Sequence, residues 1–391
     1  MSGRAAVDRW RAAAEVLAEV RREPGITRVE LARRLSLASG SATEITTRLR
    51  ELGWVAESRA PATGRGRPTT ALGPAPDGPC VVAVDLRYEG WRCAVTGLDG
   101  RPGPVRSGRY RRRDPDDVVA GLATVVGEME AQAPGPVVAV GIAVAATVAT
   151  GDPRPTDRVW LPSDPQLLTD AFDVPVSLGN DATLAGVAEV RTGAAVGAGT
   201  AVFVTVEVGI GGVLVVDGRP LAGARGASGE FGHLPFGDPD VVCACGARGC
   251  WGTGVGAGVF ARLLGEPDAD DPSGHALAVL ERAGRDPDAR AAAEDVASRL
   301  GRGAAGLVNA HDPDVLVIGG LGPAMRAAAP DAFGVAYGAG LMSMHREPGV
   351  PVRDAVHGPD APLVGAAAVA LDGATSAAGL ATFDESRQSV S

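Results

Sequence analysis

The feature that most constrains this fold is a break in the sequence pattern between Ala60 and Pro79, where proline, glycine, threonine and arginine replace any periodic spacing of apolar residues. Segments of this composition form turns and linkers. Residues 1 to 70, which end midway through the break, hold 13 arginines against 8 acidic residues, and the rest of the chain holds 24 against 39. The chain therefore divides into a basic N-terminal segment of net charge +5 and an acidic body of net charge −15.

Apolar residues in the basic segment recur at the spacing of three helices. The first pattern runs from Arg4 to Arg22 and ends at Pro24-Gly25. Thr27, with Glu30 three residues later, has the spacing of a capping box that opens a second, short helix. A third helix is predicted from about Ser39 to Leu52. Its buried face is predicted to carry Ala42, Ile45, Leu49 and Leu52.

Three helices in this order are typical of a helix-turn-helix, in which the third helix enters the major groove of DNA. Two strand patterns, Gly53 to Ala56 and Thr69 to Leu72, flank a tip at Gly64 to Pro68 that carries two arginines. Such arginines suit the negative potential of a narrow minor groove. We therefore predict a winged helix-turn-helix at residues 1–72, called the head below, and a linker at 73–79. The predicted DNA-contacting residues are Ser41, Thr43, Glu44, Thr47, Arg48, Arg65 and Arg67.

The same residues have a simpler interpretation, in which a small helical segment precedes a polar linker. DNA binding is favoured because the charge asymmetry, the helix spacing and the wing tip point to it independently. Arginine contacts to phosphates release counterions and supply affinity that does not depend on sequence. The acidic body would repel DNA, so double-stranded DNA is the predicted partner of the head.

After residue 80, apolar runs of strand length alternate with helical patterns, which predicts an α/β body. Strand patterns include Val81 to Val84 and Ala201 to Val206, and Pro115 to Ala131 has a helical pattern. All 37 basic residues are arginine. The lack of lysine excludes a Walker phosphate loop and Schiff-base mechanisms, since both need a lysine amine.

The longest apolar stretch, Val137 to Ala149, has thirteen residues and is interrupted by Gly141 and Thr147. A bilayer span needs about 20 apolar residues, so no membrane span is predicted. The first twenty residues lack the apolar region of a secretory signal, which predicts a cytoplasmic protein with reduced thiols. The polar end of the chain, residues 383–391, is predicted to be a flexible tail.

Three cysteines, Cys243, Cys245 and Cys250, lie within eight residues. Intervening glycines permit a tight turn that aims three sulfurs at one point, and His233 would complete a tetrahedral Cys₃His set. A closed set of four protein ligands is structural, so one structural zinc ion per chain is predicted. The alternative is a group of inert or transiently oxidised thiols. The remaining two cysteines, Cys80 and Cys93, lie in apolar strand patterns and are predicted to be core residues.

The segment Gly226-Ala-Ser-Gly-Glu-Phe-Gly-His233 followed by Cys243-Ala-Cys-Gly-Ala-Arg-Gly-Cys250 resembles the signature of the ROK family of repressors, open reading frames and sugar kinases. Further motifs at Asn180-Asp-Ala182, Gly209-Ile-Gly-Gly212 and Ile318-Gly-Gly-Leu-Gly322 follow in that family's order. The resemblance covers roughly residues 80 to 375. It implies an α/β body at 80–382 with a two-lobed, actin-like (ribonuclease H-like) ATPase fold and a ligand in the cleft between the lobes.

The resemblance also bears on catalysis. Family kinases use the aspartate of the Asn-Asp pair as general base on a sugar hydroxyl, and Asp181 matches it. Their first phosphate loop reads Asp-Leu-Gly-Gly-Thr, whereas this chain has Asp85 to Glu89 as Asp-Leu-Arg-Tyr-Glu. Bulky side chains replace the glycines that let backbone N–H groups approach phosphate, and Glu89 adds a charge of the wrong sign. The chain is therefore predicted not to be an enzyme.

The sugar site implied by the resemblance is better preserved. Its matching residues, predicted to bind an effector, are Asn180, Asp181, Glu230 and His233. Two positions depart from the family pattern: a carboxylate is replaced by Gly252, and an asparagine by Ser163. The effector is therefore predicted to be an unusual sugar, a sugar derivative or a different small molecule.

The favoured function is a DNA-binding transcriptional regulator of carbohydrate-related genes, a repressor, whose degenerate kinase domain senses a small molecule. A homo-oligomer, dimer or tetramer, is expected because one helix-turn-helix reads only a half-site. The alternative is an ATP-dependent sugar kinase with an accessory DNA-binding head. A third hypothesis is a constitutive DNA-binding scaffold that has lost its ligand.

Overall fold

The computed structural model describes residues 2–59, 70–87, 90–110, 114–149, 152–154 and 166–390. The chain forms two compact units. Unit 1 comprises residues 1–144, 164–179 and 366–391, and unit 2 comprises residues 145–163 and 180–365. The head therefore belongs to the same unit as the C-terminal end of the chain.

The head has the predicted helix-turn-helix with a small sheet, in which the strand order is β1-β3-β2. Thr27 caps the second helix as predicted, because its side chain accepts a hydrogen bond from the backbone N–H of Glu30. The elements of the head are α1 (Ser2–Arg22), β1 (Ile26–Thr27), α2 (Arg28–Arg34), α3 (Ser39–Glu51), β2 (Val55–Arg59) and β3 (Thr70–Pro74).

The head extends further than the sequence predicts. Strand β3 continues to Pro74, which pairs with Val55 of β2, and the N–H of Ala75 donates to the carbonyl of Trp54. The predicted linker at 73–79 therefore begins inside a strand. A short turn at 75–79 separates β3 from the next strand, because Cys80 already pairs in the body.

The first lobe of the body lies in unit 1 around a five-stranded sheet with the order β10-β7-β4-β5-β6. Its strands β4, β5 and β6 form antiparallel pairs, and β7 runs parallel to β4. The elements after the head, through the start of unit 2, are β4 (Cys80–Leu86), β5 (Gly90–Thr96), β6 (Arg106–Arg109), α4 (Pro115–Glu130), β7 (Val137–Val144), β8 (Thr147–Ala149), β9 (Asp152–Arg154), α5 (Gln166–Thr169) and β10 (Val176–Asn180).

The second lobe, in unit 2, repeats this plan with the strand order β13-β12-β11-β14-β15. Strands β11 to β13 pair antiparallel, whereas β14 runs parallel to β11. Two lobes of one topology confirm the predicted two-lobed α/β fold. The remaining elements are α6 (Asp181–Thr192), β11 (Thr200–Val206), β12 (Ile210–Val216), β13 (Arg219–Pro220), α7 (Gly252–Val255), α8 (Val259–Leu264), α9 (Pro272–Arg282), α10 (Pro287–His311), β14 (Val315–Gly320), α11 (Gly322–Ala328), α12 (Pro330–Gly340), β15 (Val352–Asp354), α13 (Ala361–Thr375) and α14 (Ala377–Val390).

A buried carboxylate fixes helix α6 within unit 2. Glu189 is fully buried and accepts hydrogen bonds from the backbone N–H groups of Ala194, Val356 and His357. A buried carboxylate is tolerated when donors of this kind satisfy it. The far end of α6 is therefore held in place, which sets the position of the Asn-Asp pair at its start.

The C-terminal helix α14 packs into the head. Leu380 is fully buried in the same apolar cluster as the head residues Leu17 and Leu49. Phe383 lies edge-on to Trp54, with ring centroids 5.4 Å apart. The flexible tail predicted for residues 383–391 is therefore wrong as far as residue 390, because these residues continue helix α14, whose side chains Phe383, Asp384 and Arg387 contact the head.

No single helix among the described residues is long and apolar enough to cross a membrane. Helices α13 and α14 reach that length only as a pair, across a bend of 69°.

Replacing Leu380 with alanine is expected to destabilise the head. The substitution leaves a cavity in a buried apolar cluster, which costs about 2–5 kcal/mol of unfolding free energy. Urea unfolding followed by tryptophan fluorescence measures the loss, since Trp10 and Trp54 lie in this cluster. The matched control is Thr382→Ala on the exposed side of the same helix. Equal stability of Leu380→Ala and Thr382→Ala would contradict the packing of α14.

Candidate functional site

Helix α3 presents a polar face opposite its core. Ser41, Thr43 and Glu44 are exposed, and Thr47 is half-buried. The hydroxyl of Thr43 donates to the carbonyl of Ser39 one turn earlier, which is a local bond that a partner can replace. Four of the predicted DNA-contacting side chains thus lie on the outward side of the helix.

The buried side of α3 differs from the prediction at two neighbouring positions. Ala42, Thr46 and Leu49 are buried, while Ile45 is only partly buried. The Thr46 hydroxyl donates to the carbonyl of Ala42, and Arg28 donates to that hydroxyl at 3.0 Å. A polar residue can occupy a core position because these bonds satisfy it. The sequence signal for a buried Thr46 is its position four residues after Ala42, because this spacing lets the hydroxyl bond to the helix's own backbone.

Arg48 does not lie with the other predicted DNA contacts. Its guanidinium stands 4.0 Å above the ring centroid of Trp10 and donates to a carboxylate oxygen of Asp384 at 2.8 Å. The helix therefore turns Arg48 toward α1 and α14. The two predicted wing residues, Arg65 and Arg67, lie outside the described residues.

Acidic residues of the head pair with several of its arginines. Arg28 and Arg50 both lie beside Glu57, and Arg33 and Arg34 both donate to Glu30. Hydrogen bonds from Arg33 and Arg34 lower the pKa of Glu30 to about 2. These pairs hold much of the positive charge of the described part of the head within the domain itself.

The predicted zinc ligands converge in unit 2. One ligand atom from each of His233, Cys243, Cys245 and Cys250 lies within 4.8 Å of all the others. Cys243 Sγ is 3.7 Å from His233 Nδ1, and Cys245 Sγ is 3.6 Å from Cys250 Sγ. Ligands bound tetrahedrally to zinc at about 2.0–2.3 Å lie roughly 3.5–3.8 Å apart. The four side chains therefore fit a tetrahedral zinc ion.

Local backbone turns bring the three thiols together. Gly246 and Gly249 have φ angles of 90° and 70°, which glycine adopts without strain. The N–H of Cys243 donates to the carbonyl of Ala247 and closes the loop. Burial raises the pKa of Cys250 to about 12. A bound metal cation would favour the thiolate form of such a thiol.

The two predicted core cysteines are buried in the first lobe. Cys80 and Cys93 are fully buried on β4 and β5. Burial raises the pKa of Cys80 to about 11 and that of Cys93 to about 12. Both therefore remain protonated thiols, as expected of core residues.

His233 links the thiol cluster to the predicted effector site. It ends a short 3₁₀ helix, Phe231–His233, directly after Glu230. While Nδ1 faces Cys243, Nε2 lies 3.8 Å from a carboxylate oxygen of Glu230. A carboxylate beside the second ring nitrogen is the usual partner of a metal-bound histidine. Glu230 and His233 are both partly exposed, so both remain accessible to a ligand.

The Asn-Asp pair forms the start of helix α6. The side-chain oxygen of Asn180 caps the helix by accepting from the N–H of Thr183 at 2.9 Å, and its amide donates to Asp181 at 3.0 Å. The same Asp181 oxygen accepts from the N–H of Ala182 at 2.7 Å. These contacts fix the orientation of both side chains, and both remain partly exposed.

The start of β12 contacts both halves of the predicted effector site. A Cβ atom at Gly211 would lie 2.7 Å from the Cβ of Ala182, so β12 and the start of α6 touch. A Cβ at Gly212 would lie 2.6 Å from the ring of Phe231. The start of α6, which carries Asp181, therefore packs on Gly211. The segment that carries Glu230 packs on the next residue of the strand, Gly212.

Two departures from the family pattern have structural counterparts. Arg87 donates to the buried Asp85 at 2.7 Å, an ion pair that the sequence analysis did not anticipate. A Cβ at Gly252 would meet only ordinary contacts, the nearest being the carbonyl oxygen of Gly232 at 3.4 Å. The backbone therefore does not require glycine at this position, where the family pattern has a carboxylate. Tyr88, Glu89 and Ser163 lie outside the described residues.

Two family models match this chain. A model described as the ROK family matches residues 81–373, and one described as winged helix-turn-helix DNA-binding matches residues 15–56.

Individual relatives include both kinases and repressors. A glucokinase from Halalkalibacterium halodurans is 30% identical over 167 residues, which cover 39% of this chain and 51% of that protein. A putative xylose repressor from Caldicellulosiruptor sp. is 29% identical over 167 residues, which cover 39% of this chain and 42% of that protein. The chain thus spans about half the length of these curated relatives.

A solved structure extends the likeness to nearly the whole fold. A ROK family transcriptional regulator, described as a homolog of the E. coli MLC protein, has a TM-score of 0.78 at 22% identity. The alignment covers 96% of this chain and 99% of that one. At this identity the likeness shows a shared fold, including a head and a two-lobed body.

The thiol cluster predicts the metal content of the purified protein. Purified chain is expected to carry one zinc ion, and Cys245→Ser is expected to lose it because three ligands bind far more weakly than four. Elemental analysis of protein prepared without chelators measures the stoichiometry. Cys93→Ala, which removes a thiol outside the cluster, should retain the ion. Metal-free parent protein would refute the assignment.

Proposed function

Because the chain belongs to the ROK family, and because a winged helix-turn-helix precedes its ROK domain, we propose that it is a transcriptional repressor of carbohydrate-related genes. The observation that carries this proposal is that one chain contains both a helix-turn-helix and a ROK domain. The polar face of α3 is exposed and accessible to DNA. A regulator of this kind works on the chromosome, so we place it in the cytoplasm.

The proposed DNA contacts fall into two groups. Ser41, Thr43, Glu44 and Thr47 of α3 supply short polar groups of the kind that read base edges in the major groove. Arg65 and Arg67 of the wing would enter the adjacent minor groove. A homo-oligomer would place two such heads on the half-sites of one operator.

The proposed effector is a sugar or a sugar derivative bound by Asn180, Asp181, Glu230 and His233. Carboxylate, amide and imidazole groups together accept and donate the hydrogen bonds that sugar hydroxyls require. The names of the relatives support this class, since they include glucokinases and xylose repressors. The lack of a side chain at Gly252 would favour a ligand that does not need a carboxylate there.

A structural zinc ion would be held by His233, Cys243, Cys245 and Cys250. It would supply binding energy that folds the loop and fixes the ring of His233, and through that ring the position of Glu230. No catalytic step is assigned to it, because all four positions belong to the protein.

We propose that the chain does not phosphorylate sugars. The Arg87 guanidinium pairs with Asp85 at the position of the family's phosphate loop, and this pair supports a loop that no longer binds a phosphoryl donor. The second candidate is a sugar kinase with a DNA-binding head, favoured by the retained Asp181. Turnover of a sugar with ATP at about 1–100 per second would support that candidate.

Selection of genomic DNA fragments with the full-length protein tests the DNA-binding function. Enriched sites are expected beside genes for carbohydrate use. With a selected site, Arg67→Ala is expected to weaken binding and to reduce the slope of log K against log salt by about 0.9, if Arg67 meets one phosphate. Arg101→Ala, an exposed arginine of the body, is the control. No enrichment of any sequence would refute the proposal.

Asp181→Ala tests the effector site. In the parent chain, an active sugar is expected to change affinity for the selected site by roughly 5- to 150-fold, a coupling of about 1–3 kcal/mol. Asp181→Ala should abolish this response while keeping the ligand-free affinity, because the head is unchanged. Titrations with D-xylose, D-glucose and their N-acetyl and phosphorylated derivatives measure it. Asp173→Ala, at an exposed site, is the control. An identical response of Asp181→Ala and parent would place the site elsewhere.

A further inference from the structure

Arg48 differs from the other predicted DNA contacts of α3, because it forms an ion pair with an acidic residue from outside the head. Its guanidinium lies between the ring of Trp10 and the carboxylate of Asp384, which is 336 residues away in sequence. The Arg48 side chain is 36% exposed and that of Asp384 is 16% exposed. The pair therefore lies at the edge of the head, where one side of the guanidinium still meets solvent.

The position of Asp384 does not depend on this ion pair. Leu380 is buried in the head core, Phe383 packs on Trp54, and Arg387 donates to the carbonyl of Leu52 at 3.1 Å. Before α14, Asp372 of α13 pairs with Arg21 of α1 at 2.8 Å. Helix α14 is thus anchored on both sides of Asp384, so the carboxylate is presented to Arg48 by packing that does not involve Arg48.

The source of the acid sets Arg48 apart from the neighbouring arginines. Arg28 and Arg34 pair with acids of the head itself, so those pairs exist wherever the head is folded. Arg48 instead pairs with a residue that follows the ROK domain in sequence. The charge that α3 offers to DNA therefore depends on where α14 lies.

Phosphate and carboxylate are alternative partners for one guanidinium. A free Arg48 on the DNA-reading helix would add one phosphate contact, and each such contact changes the salt slope of binding by about 0.9. An arginine already paired with Asp384 must first exchange that partner, which offsets part of the gain.

We propose that Asp384 is a positioning residue that restrains DNA binding by competing with the phosphodiester backbone for Arg48. The proposal rests on the proposed DNA-binding function and adds a means of regulating it. While Asp384 holds Arg48, α3 has one fewer cation for phosphate. Because the pair lies at the edge of the head, with Arg48 36% exposed, a phosphate can replace the carboxylate while α14 stays in place. The partner recognised by the released side chain is a DNA phosphate.

Binding of the full-length chain to a 40-base-pair duplex of mixed sequence, followed by fluorescence anisotropy over a range of salt concentrations, tests the proposal. Asp384→Asn keeps the size of the side chain and removes its charge. It is expected to strengthen binding by roughly threefold or more at 50 mM salt and to steepen the salt slope by about 0.9. Arg48→Gln in the same chain should remove both gains, which a merely structural role of Asp384 would not predict.

Glu385→Gln is the matched control, because it removes the same charge from the next, exposed residue of α14. Equal effects of Asp384→Asn and Glu385→Gln would reduce the result to net charge and overturn the proposal. Weaker binding by Asp384→Asn would also overturn it, whether or not thermal unfolding shows a less stable head. A parent chain that binds neither this duplex nor any selected site would refute the proposed function together with this inference, whereas binding without the Asp384→Asn gain refutes the inference alone.

Discussion

The head of this protein depends on burial of the C-terminal helix in its core. Leu380 and Ala381 lie in one apolar cluster with α1 and α3, and Phe383 covers the ring of Trp54. Small domains bury a low fraction of their surface and need every apolar contact available. A head of about seventy residues therefore takes part of its core from the opposite end of the chain. The packing of α14 joins the helix-turn-helix to the end of the chain that follows the body in sequence.

His233 belongs to both the thiol cluster and the proposed effector site, because its two ring nitrogens face different partners. Nδ1 approaches the thiols, and Nε2 approaches Glu230. Once a metal fixes the ring, the position of the carboxylate is constrained as well. The proposed zinc ion would stabilise the loop that carries Glu230 and His233. The proposed metal site and the proposed effector site thus share one imidazole.

Sequence spacing predicted the structure where the determining contacts are local. The cap at Thr27 depends on Glu30 three residues later, and the convergence of His233 with Cys243, Cys245 and Cys250 depends on residues within one short segment, so spacing alone predicted both. It failed where a partner is distant. Helical periodicity places Arg48 on a polar side of α3, but it carries no information on Asp384, which arrives from 336 residues away. The tail was misassigned for the same reason, because its apolar partners belong to the head.

The docking of α14 also sets the order in which the chain can fold during synthesis. Strand β3 ends at Pro74 and α14 begins at Ala377, so about 300 residues separate the first part of this core from the last. At roughly 5–20 residues per second, a ribosome needs about 15–60 s to make them. Until then the nascent head lacks Leu380 and Phe383, and its apolar face is open. A product of interrupted translation would carry the recognition helix without its finished core, so quality control by proteases and chaperones can distinguish it from the complete chain.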